Sequence, residues 1–242
     1  MKNWSLIILT FAMIGIFSSC EKDESNTPET SNISNEEVVE IVAAALMSQS
    51  EGVSSDASEA AQVATNYSDE NANIPSCGES YDSTFLRNID NAFITTAYTL
   101  DYAWTLNCNN FNIPSSLDWS SQKSGTYETN RMESDDSSTT TLNVSNLITG
   151  SNFLMNGTFN RTGSQISKVG NMNTFTSSIH CDLVDLTVGK QSRQIESGIA
   201  TFFITAQISD GDPFAIEGSI TFLGNGAATI LVNGEIFEID LS

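Results

Sequence analysis

His180 is the one histidine in the chain and so the first candidate for chemistry near neutral pH. It lies in a segment where polar and apolar residues alternate, on the face opposite Cys181. Alternation of this kind predicts a strand that turns His180 toward solvent and Cys181 toward the core. No serine in the sequence stands in a nucleophile-elbow pattern. We therefore predict that the chain is not an enzyme.

The 30 acidic residues supply many carboxylates, but no motif among them selects a catalytic pair. A glycosidase needs two carboxylates about 5 to 10 Å apart in a cleft. Residues 210–212 (Asp-Gly-Asp) and 133–136 (Glu-Ser-Asp-Asp) offer oxygen ligands of the type that calcium prefers. Neither follows the spacing of a calcium loop, and both are typical of solvent-facing turns or loops. We predict no metal and no cofactor.

Five aromatic side chains could stack against a sugar or an apolar ligand: Tyr102, Trp104, Trp119, Tyr127 and Phe203. Tyr102 and Trp104 fall on an alternating apolar face, which favours core packing over ligand binding. Phe203 lies on the opposite face from its apolar neighbours along the strand. It is therefore expected in a second buried layer, or on a sheet exterior covered by a helix.

Three of the four cysteines fall inside the folded region. Cys77 and Cys108 lie 31 residues apart, at the two borders of one strand-like block. We predict a disulfide between them, worth about 3 to 4 kcal/mol through loop entropy. Cys181 shares a strand face with Ile179 and Leu183, which predicts a buried, reduced thiol.

The first nineteen residues have the composition of an export signal. Lys2 precedes an apolar stretch from Leu6 to Phe17, and the small pair Ser18-Ser19 follows. The stretch is twelve residues long, whereas a membrane-spanning helix needs roughly 20. We expect residues 1–19 to be removed.

Phe17-Ser18-Ser19-Cys20 resembles the lipobox of bacterial lipoproteins, with Phe17 where Leu is usual. The resemblance implies diacylglycerol on the Cys20 thiol and attachment to the outer membrane through acyl chains. Lys22-Asp23-Glu24 is similar to the surface-export signal of Bacteroidetes lipoproteins and implies display on the cell surface. A charged tether needs the same composition, so a periplasmic location stays open. Residues 20–33 are predicted to form an acidic flexible tether.

The charge of the chain excludes one class of partner. Removal of residues 1–19 takes away Lys2 and no acid, which changes the net charge from −21 to −22. Such a surface repels nucleic acid and anionic lipid headgroups. We predict no nucleic-acid binding, and we expect membrane attachment to depend on the acyl chains alone.

Residues 34–67 are predicted to be helical. Ser34 and Glu37 form a capping-box pattern ahead of apolar residues at helical spacing, which predicts a helix over about 35–48. Alanines at helical spacing predict a second helix over about 56–66, packed loosely or folded only against the rest of the domain. Both helices are expected to lie across an open end or edge of a sheet.

Residues 77–242 are predicted to form one β domain. Ten short runs with period-two alternation are separated by turn residues: 85–96, 100–108, 124–132, 138–147, 152–162, 174–188, 195–209, 214–223, 227–232 and 235–241. Short links between neighbouring runs favour an antiparallel meander that is curved or barrel-like. A barrel, a half-barrel and a sandwich all remain compatible with the pattern.

The C-terminal turns predict side-chain pairing. Asn233-Gly234 is a type I′ signal that places Ile230 opposite Phe237. A three-residue loop over 224–226 would pair Leu223 with Ala227 and place Phe222 opposite Ala228.

Several local motifs are similar to an uncharacterised family of Bacteroidetes surface lipoproteins. They are Cys77-Gly78, the block 104–111, the hairpin segment 156–164 and the closing Asn233-Gly234 turn. The resemblance spans about 77–241 and implies a shared fold and export route, without an activity. Two functions are expected. One is a non-catalytic, lipid-anchored envelope or surface lipoprotein that binds a protein, glycan or lipid ligand or a partner. The other is a carrier that holds an apolar molecule between the sheet and the helices.

Overall fold

A computed structural model describes residues 33–68, 77–209 and 211–241. These residues belong to one compact unit, Ser31–Ser242. The expected signal segment, the expected lipidation site Cys20 and nearly all of the predicted tether lie outside the described residues and stay predictions. In the part of the chain that is described, no helix is both long and apolar enough to cross a membrane.

Helix α1 (Asn35–Leu46) begins at the predicted capping box. The Ser34 hydroxyl accepts a hydrogen bond from the Glu37 backbone N–H, and the Glu37 carboxylate accepts one from the Ser34 N–H. These bonds satisfy donors that the first turn leaves unpaired. Val38, Val42 and Leu46 are fully buried, so the predicted apolar face of α1 is confirmed.

Helix α2 (Val53–Thr65) begins three residues earlier than predicted and packs closely, not loosely. Its alanines Ala57, Ala60 and Ala61 are fully buried, and their small side chains let the helix approach the sheet. Gly52 precedes α2 where a Cβ atom would lie 2.4 Å from the Ala45 carbonyl oxygen. Glycine is therefore required where the two helices turn back on each other.

Ten strands follow, as predicted, in a single antiparallel meander of order β1 to β10. They are β1 (Ser80–Asp90), β2 (Ile94–Cys108), β3 (Pro114–Thr129), β4 (Met132–Ser145), β5 (Asn152–Ser167), β6 (Thr174–Gly189), β7 (Ile195–Ile208), β8 (Pro213–Gly224), β9 (Ala227–Val232) and β10 (Glu235–Asp240). Because all ten belong to one sheet, the sandwich alternative is excluded.

The predicted strand 85–96 is wrong, because it spans the turn between β1 and β2. The Asn91 side chain accepts hydrogen bonds from the backbone N–H groups of Phe93 and Ile94, at 2.8 and 3.0 Å. This side-chain turn interrupts the strand without a Gly or Pro signal. The predicted run 100–108 is the second half of β2. The predicted run 124–132 also crosses a turn, between β3 and β4, and the segment 156–164, expected to be a hairpin, lies within the single strand β5.

The C-terminal pairings of Ile230 with Phe237 and of Phe222 with Ala228 are confirmed. The predicted pairing of Leu223 with Ala227 is wrong, since Gly224 pairs with Ala227 across a register shift. The loop is a two-residue turn at 225–226, with both residues at positive φ, preceded by a bulge. The bulge supplies the extra residue that keeps Phe222 on the buried face.

The sheet is open and curls around the helices. Among the described residues, β1 and β10 each pair with one neighbouring strand only. A flat ten-stranded sheet would be about 43 Å wide, whereas helices of 12 and 13 residues are about 18 to 20 Å long. Yet Arg87 of β1 contacts Glu51 beside the helices, and Asn233 next to β10 contacts Asn35 of α1. Both edges can reach the helix pair only if the sheet is curved.

The two helices lie against the inner face of this curved sheet, and not only across an end or edge as predicted. Helix α2 contacts strands β3 to β7, and α1 contacts β9. Along β4, inward residues are buried and outward residues exposed in strict alternation. The core therefore lies between the helices and the concave face, and the outer face meets solvent.

Candidate functional site

An open concavity of about 490 Å³ lies on the outer face of strands β6 to β9. We call it the Phe203 groove; its main lining residues are His180, Asp182, Thr201, Phe203, Glu217 and Leu231. Strand pairing assembles it, because His180 faces Phe203 across β6 and β7, and Phe203 faces Glu217 across β7 and β8. The next row pairs Asp182 with Thr201. These side chains share one face because residues directly opposite each other in antiparallel strands point the same way.

The Phe203 ring is 47% exposed, so the predicted helix cover or second layer over it is wrong. Both helices pack against the inner face of the sheet, which leaves the outer face of β7 open to solvent. Gly218 on β8 forms part of the groove floor. A Cβ atom there would lie 2.4 Å from the Phe202 ring, so glycine lets Phe202 pack in the core.

His180 lies at one side of the groove and is solvent-exposed, as predicted. Its Nδ1 atom lies 2.7 Å from Asn160 Oδ1, and its Nε2 atom lies 3.3 Å from Asp182 Oδ1. Both ring nitrogens therefore have an oxygen neighbour. Cys181 points to the opposite face, into the core. The contacts of His180 position its ring but do not pair it with a nucleophile.

The five aromatic residues named from the sequence do not form one platform. Tyr102, Trp104 and Trp119 meet on the inner face, with ring centroids 4.8 Å apart for Tyr102–Trp119 and 6.1 Å for Trp104–Trp119. Tyr127 is also buried but contacts Arg161 in another part of the core. Phe203 is on the outer face. The predicted core packing of Tyr102 and Trp104 is confirmed, with Trp104 only partly buried.

Two aromatic residues of the edge strand extend the inner cluster. Tyr81 stacks on Trp104 at 5.9 Å, and Phe85 tilts against Tyr102 at 5.8 Å. Phe85 is nevertheless 49% exposed, because β1 is the last strand of the sheet. Neither residue was predicted from the sequence to join an aromatic cluster. Their even spacing along β1 places both residues on the inner face of the strand, and this spacing was the sequence feature that could have predicted the cluster.

The acidic stretch 133–136 is part of β4 and not a loop. Glu133 and Asp135 point outward, whereas Ser134 and Asp136 are buried. Alternation along a strand thus separates carboxylates that a calcium loop would bring together. Asp210 of the other acidic candidate lies outside the described residues. Among the described side chains, no group of three or more His, Cys, Asp or Glu is arranged to hold a metal ion.

The inner face carries a buried ion-pair network that was not predicted from the sequence. Lys123 of β3 is almost fully buried, and its Nζ atom lies 3.0 Å from Asp56 Oδ1 of α2 and 3.6 Å from Glu51 Oε2. Asp56 also accepts hydrogen bonds from Ser121 and Thr140, at 2.7 and 2.5 Å. Every charge in this group has a partner, which buried charges require.

A second buried pair joins β4 and β5 to the connection between the helices. Arg161 donates hydrogen bonds to the backbone carbonyls of Ala44, at 2.7 Å, and of Ser50, and its Nε lies 3.4 Å from Asp136 Oδ1. The Tyr98 hydroxyl donates to both oxygens of Asp136, at 3.1 and 3.0 Å. Burial raises the pKa of Tyr98, which keeps it protonated as a donor.

Both networks had a faint signal in the sequence. Lys123 and Arg161 stand at positions where the strand alternation points inward, which is an unusual place for a basic residue. Their carboxylate partners were ambiguous among 30 acids. Only the fold selects Asp56 and Asp136.

The cysteine predictions are confirmed within the described residues. Cys77 and Cys108 form a disulfide, with Cα atoms 5.7 Å apart. Cys181 is free and fully buried, and burial raises the pKa of its thiol to about 12. A protonated, inaccessible thiol is a poor nucleophile.

No protein-family model matches this sequence, and neither the curated proteins nor the solved structures give a significant match.

Proposed function

We propose that this chain is a non-catalytic, lipid-anchored lipoprotein of the outer membrane that binds a ligand or partner through the Phe203 groove. One observation supports binding on the outer face of the sheet. The inner face is occupied by the two helices, which buried ion pairs hold in place, so the outer face is the surface left open. The lipobox-like sequence ahead of Cys20 supports the anchor, and the lysine-acid-acid sequence after it supports display on the cell surface.

The chemistry of the groove favours neutral polyhydroxylated or cationic ligands. The exposed ring of Phe203 offers a flat apolar face for stacking, and Asp182 and Glu217 accept hydrogen bonds from hydroxyl or ammonium groups. The carboxylates and the net charge of the chain oppose sulfated, phosphorylated or nucleic-acid ligands. A neutral glycan or a basic peptide is therefore the expected class.

The non-catalytic assignment is supported by His180. A general base must present a ring nitrogen to the group that it deprotonates. Here the contacts to Asn160 and Asp182 engage both nitrogens, and the neighbouring Cys181 lies on the other side of the sheet. A hydrolytic turnover that disappears in His180→Ala would contradict this assignment.

The carrier alternative is weakened by what fills the inner face. Leu46, Ala57 and Ala61 are fully buried there, and Lys123 and Arg161 bond across to the helical segment. An apolar molecule between the helices and the sheet would have to displace these side chains and separate buried ion pairs. Native mass spectrometry of the purified lipoprotein, with a lipid mass retained beyond the Cys20 acyl chains, would support the carrier instead.

Binding can be tested with the full-length lipoprotein in detergent, probed with neutral glycans, lysine-containing peptides and sulfated glycans. Phe203→Ala should weaken binding about fivefold to tenfold, because stacking on an aromatic ring contributes about 1 to 1.4 kcal/mol. Ile166→Ala is the matched control, since Ile166 is 45% exposed on β5 outside the groove.

Glu217→Gln separates the two ligand classes. It should weaken a lysine-containing peptide and spare a neutral glycan, because only the peptide needs the negative charge. Binding that is unaffected by both Phe203→Ala and Glu217→Gln would contradict the assignment of this surface. Preferential binding of a sulfated glycan would contradict the expectation that the carboxylates of the groove repel anionic ligands.

A further inference from the structure

Strand β1 is the longer of the two edges of the sheet. It covers Ser80–Asp90 and pairs only with β2 among the described residues. The side of β1 facing away from β2 therefore presents backbone N–H and C=O groups that can pair with another strand. Its eleven residues include no proline and no lysine. Three of them are charged, Asp82, Arg87 and Asp90, and Arg87 points to the inner face, where it pairs with Glu51 and Glu59. These charges restrict the registers in which another strand can pair with β1.

The other edge, β10, is different. It has six residues, Glu235–Asp240, and its ends are tied to the helical segment. Asn35 of α1 donates a hydrogen bond to Glu235, at 2.9 Å, and the backbone N–H of Ser48 donates to the Leu241 carbonyl, at 3.3 Å. Of the two edges, β1 is the longer, and its contacts with the helical segment run through the Arg87 side chain.

Two large apolar side chains lie next to each other at the centre of β1 and point to opposite faces. Leu86, on the outer face, is 77% exposed, and Phe85, on the inner face, is 49% exposed. Phe85 is also the last member of the aromatic row that includes Tyr102 and Trp119. A further strand beside β1 would cover both side chains and continue the aromatic row.

We propose that β1 pairs antiparallel with β1 of a second copy of this chain, joining the two sheets about a two-fold axis at Phe85. In this register Phe85 faces its own counterpart, Tyr81 faces Ile89, and Ser83 faces Arg87 of the second copy. Thr84 faces Leu86, which places the two Leu86 side chains in diagonal contact on the outer face. No charged side chain faces a like charge.

The alternative registers are less favourable. A two-fold axis perpendicular to the sheet keeps inner residues on the inner face, so the register can change only in steps that preserve this alternation. Centring the pair on Leu86 places Asp82 opposite Asp90 of the second copy, which is a like-charge contact. Centring it on Thr84 places Leu86 opposite Asp82 and separates the two Phe85 rings. The Phe85-centred register avoids both costs.

A second copy fits this edge because one strand supplies both halves of the contact, as an isologous interface requires. Electrostatic repulsion between the two acidic chains opposes dimerisation, because each mature chain carries a charge of −22 after loss of residues 1–19. Salt screens that repulsion, while backbone pairing and apolar contact are little affected. Dimerisation should therefore strengthen as ionic strength rises. This inference is independent of the ligand proposed for the Phe203 groove.

The association state can be measured by sedimentation of the full-length lipoprotein in density-matched detergent. The wild-type protein should form dimers at micromolar concentration, with a larger dimer fraction at 500 mM than at 50 mM salt. Leu86→Lys should raise the dissociation constant at least about tenfold, because it brings two lysines together across the axis. Ile236→Lys is the matched control, since Ile236 is 71% exposed on β10.

A cross-linking experiment tests the register independently. Native thiols will not interfere, because Cys77 and Cys108 are disulfide-bonded and Cys181 is buried, while Cys20 is expected to be acylated. Leu86→Cys should give a homodimer with a short bis-maleimide in membranes isolated from cells, and Ile236→Cys should not.

Three outcomes would overturn the proposal. The first is a monomer at every concentration up to about 100 µM in high salt. The second is a dimer that persists in Leu86→Lys. The third is cross-linking of Leu86→Cys to a different protein in place of a second copy.

Discussion

Arg161 provides the sharpest test of how the helices are held against the sheet. We expect Arg161→Met, which keeps much of the side-chain volume, to lower the free energy of unfolding by about 3 to 5 kcal/mol. The substitution leaves the buried Asp136 carboxylate without its cation, and it removes the donors to the carbonyls of Ala44 and Ser50. With a urea m-value of about 2 to 3 kcal/mol/M, the midpoint should fall by about 1 to 2.5 M.

Arg131→Met is the matched control for this substitution. Arg131 also bonds to α1, through Glu36 and Glu40 at 2.9 and 2.6 Å, but its side chain is 45% exposed. Solvent screening limits such pairs, so the loss should be no more than about 1 kcal/mol. An Arg161→Met variant that loses no more stability than Arg131→Met would refute the burial argument.

The double variant Arg161→Met/Asp136→Asn isolates the pairing itself. Because it removes both buried charges, its loss should be smaller than the sum of the two single losses by about 1 to 3 kcal/mol. Additive losses would show that Arg161 acts through its backbone contacts and not through Asp136. Urea unfolding followed by far-UV circular dichroism measures the wild-type protein, Arg161→Met, Asp136→Asn, the double variant and the Arg131→Met control.

Three further predictions concern the cysteines. Removal of the disulfide in Cys77→Ser/Cys108→Ser should lower the free energy of unfolding by about 3 to 4 kcal/mol, and a midpoint unchanged in urea would contradict it. Cys181 should resist maleimide labelling from pH 7 to 9 until the protein unfolds. Its folded-state pKa of about 12 exceeds the unfolded value of 9.0, so the stability from the neutral thiol is present below pH 9 and is lost as pH rises toward 12. Labelling of the folded protein at pH 8 would show that the thiol is accessible. Intact-mass spectrometry should find diacylglyceryl Cys20 at the mature N-terminus, with Cys20→Ala released from the membrane or stalled in export; an unmodified wild-type product would contradict the anchor.

The local features were readable from sequence because each depends on a few neighbouring residues. The capping box at Ser34 and Glu37, the turn at Asn233 and the inward direction of Cys181 follow from side-chain chemistry and strand alternation. Two errors in the strand predictions also came from local features, a side-chain turn and a β-bulge, which lack a clear sequence pattern. The Asn91 side-chain turn divided a predicted strand, and the bulge before the 225–226 turn changed one pairing.

Sequence alone determined the strand count, the meander order and the disulfide, because short links and period-two alternation leave few ways to connect neighbouring strands. Only the tertiary structure decided that the sheet is open, that α1 and α2 fill its inner face, and that β1 is left as an edge. The same holds for the pairing of Lys123 with Asp56 and for the outer-face groove around Phe203. These features depend on the accumulated curvature of ten strands and on contacts between residues far apart in the chain, and hydrophobic periodicity carries no information about either.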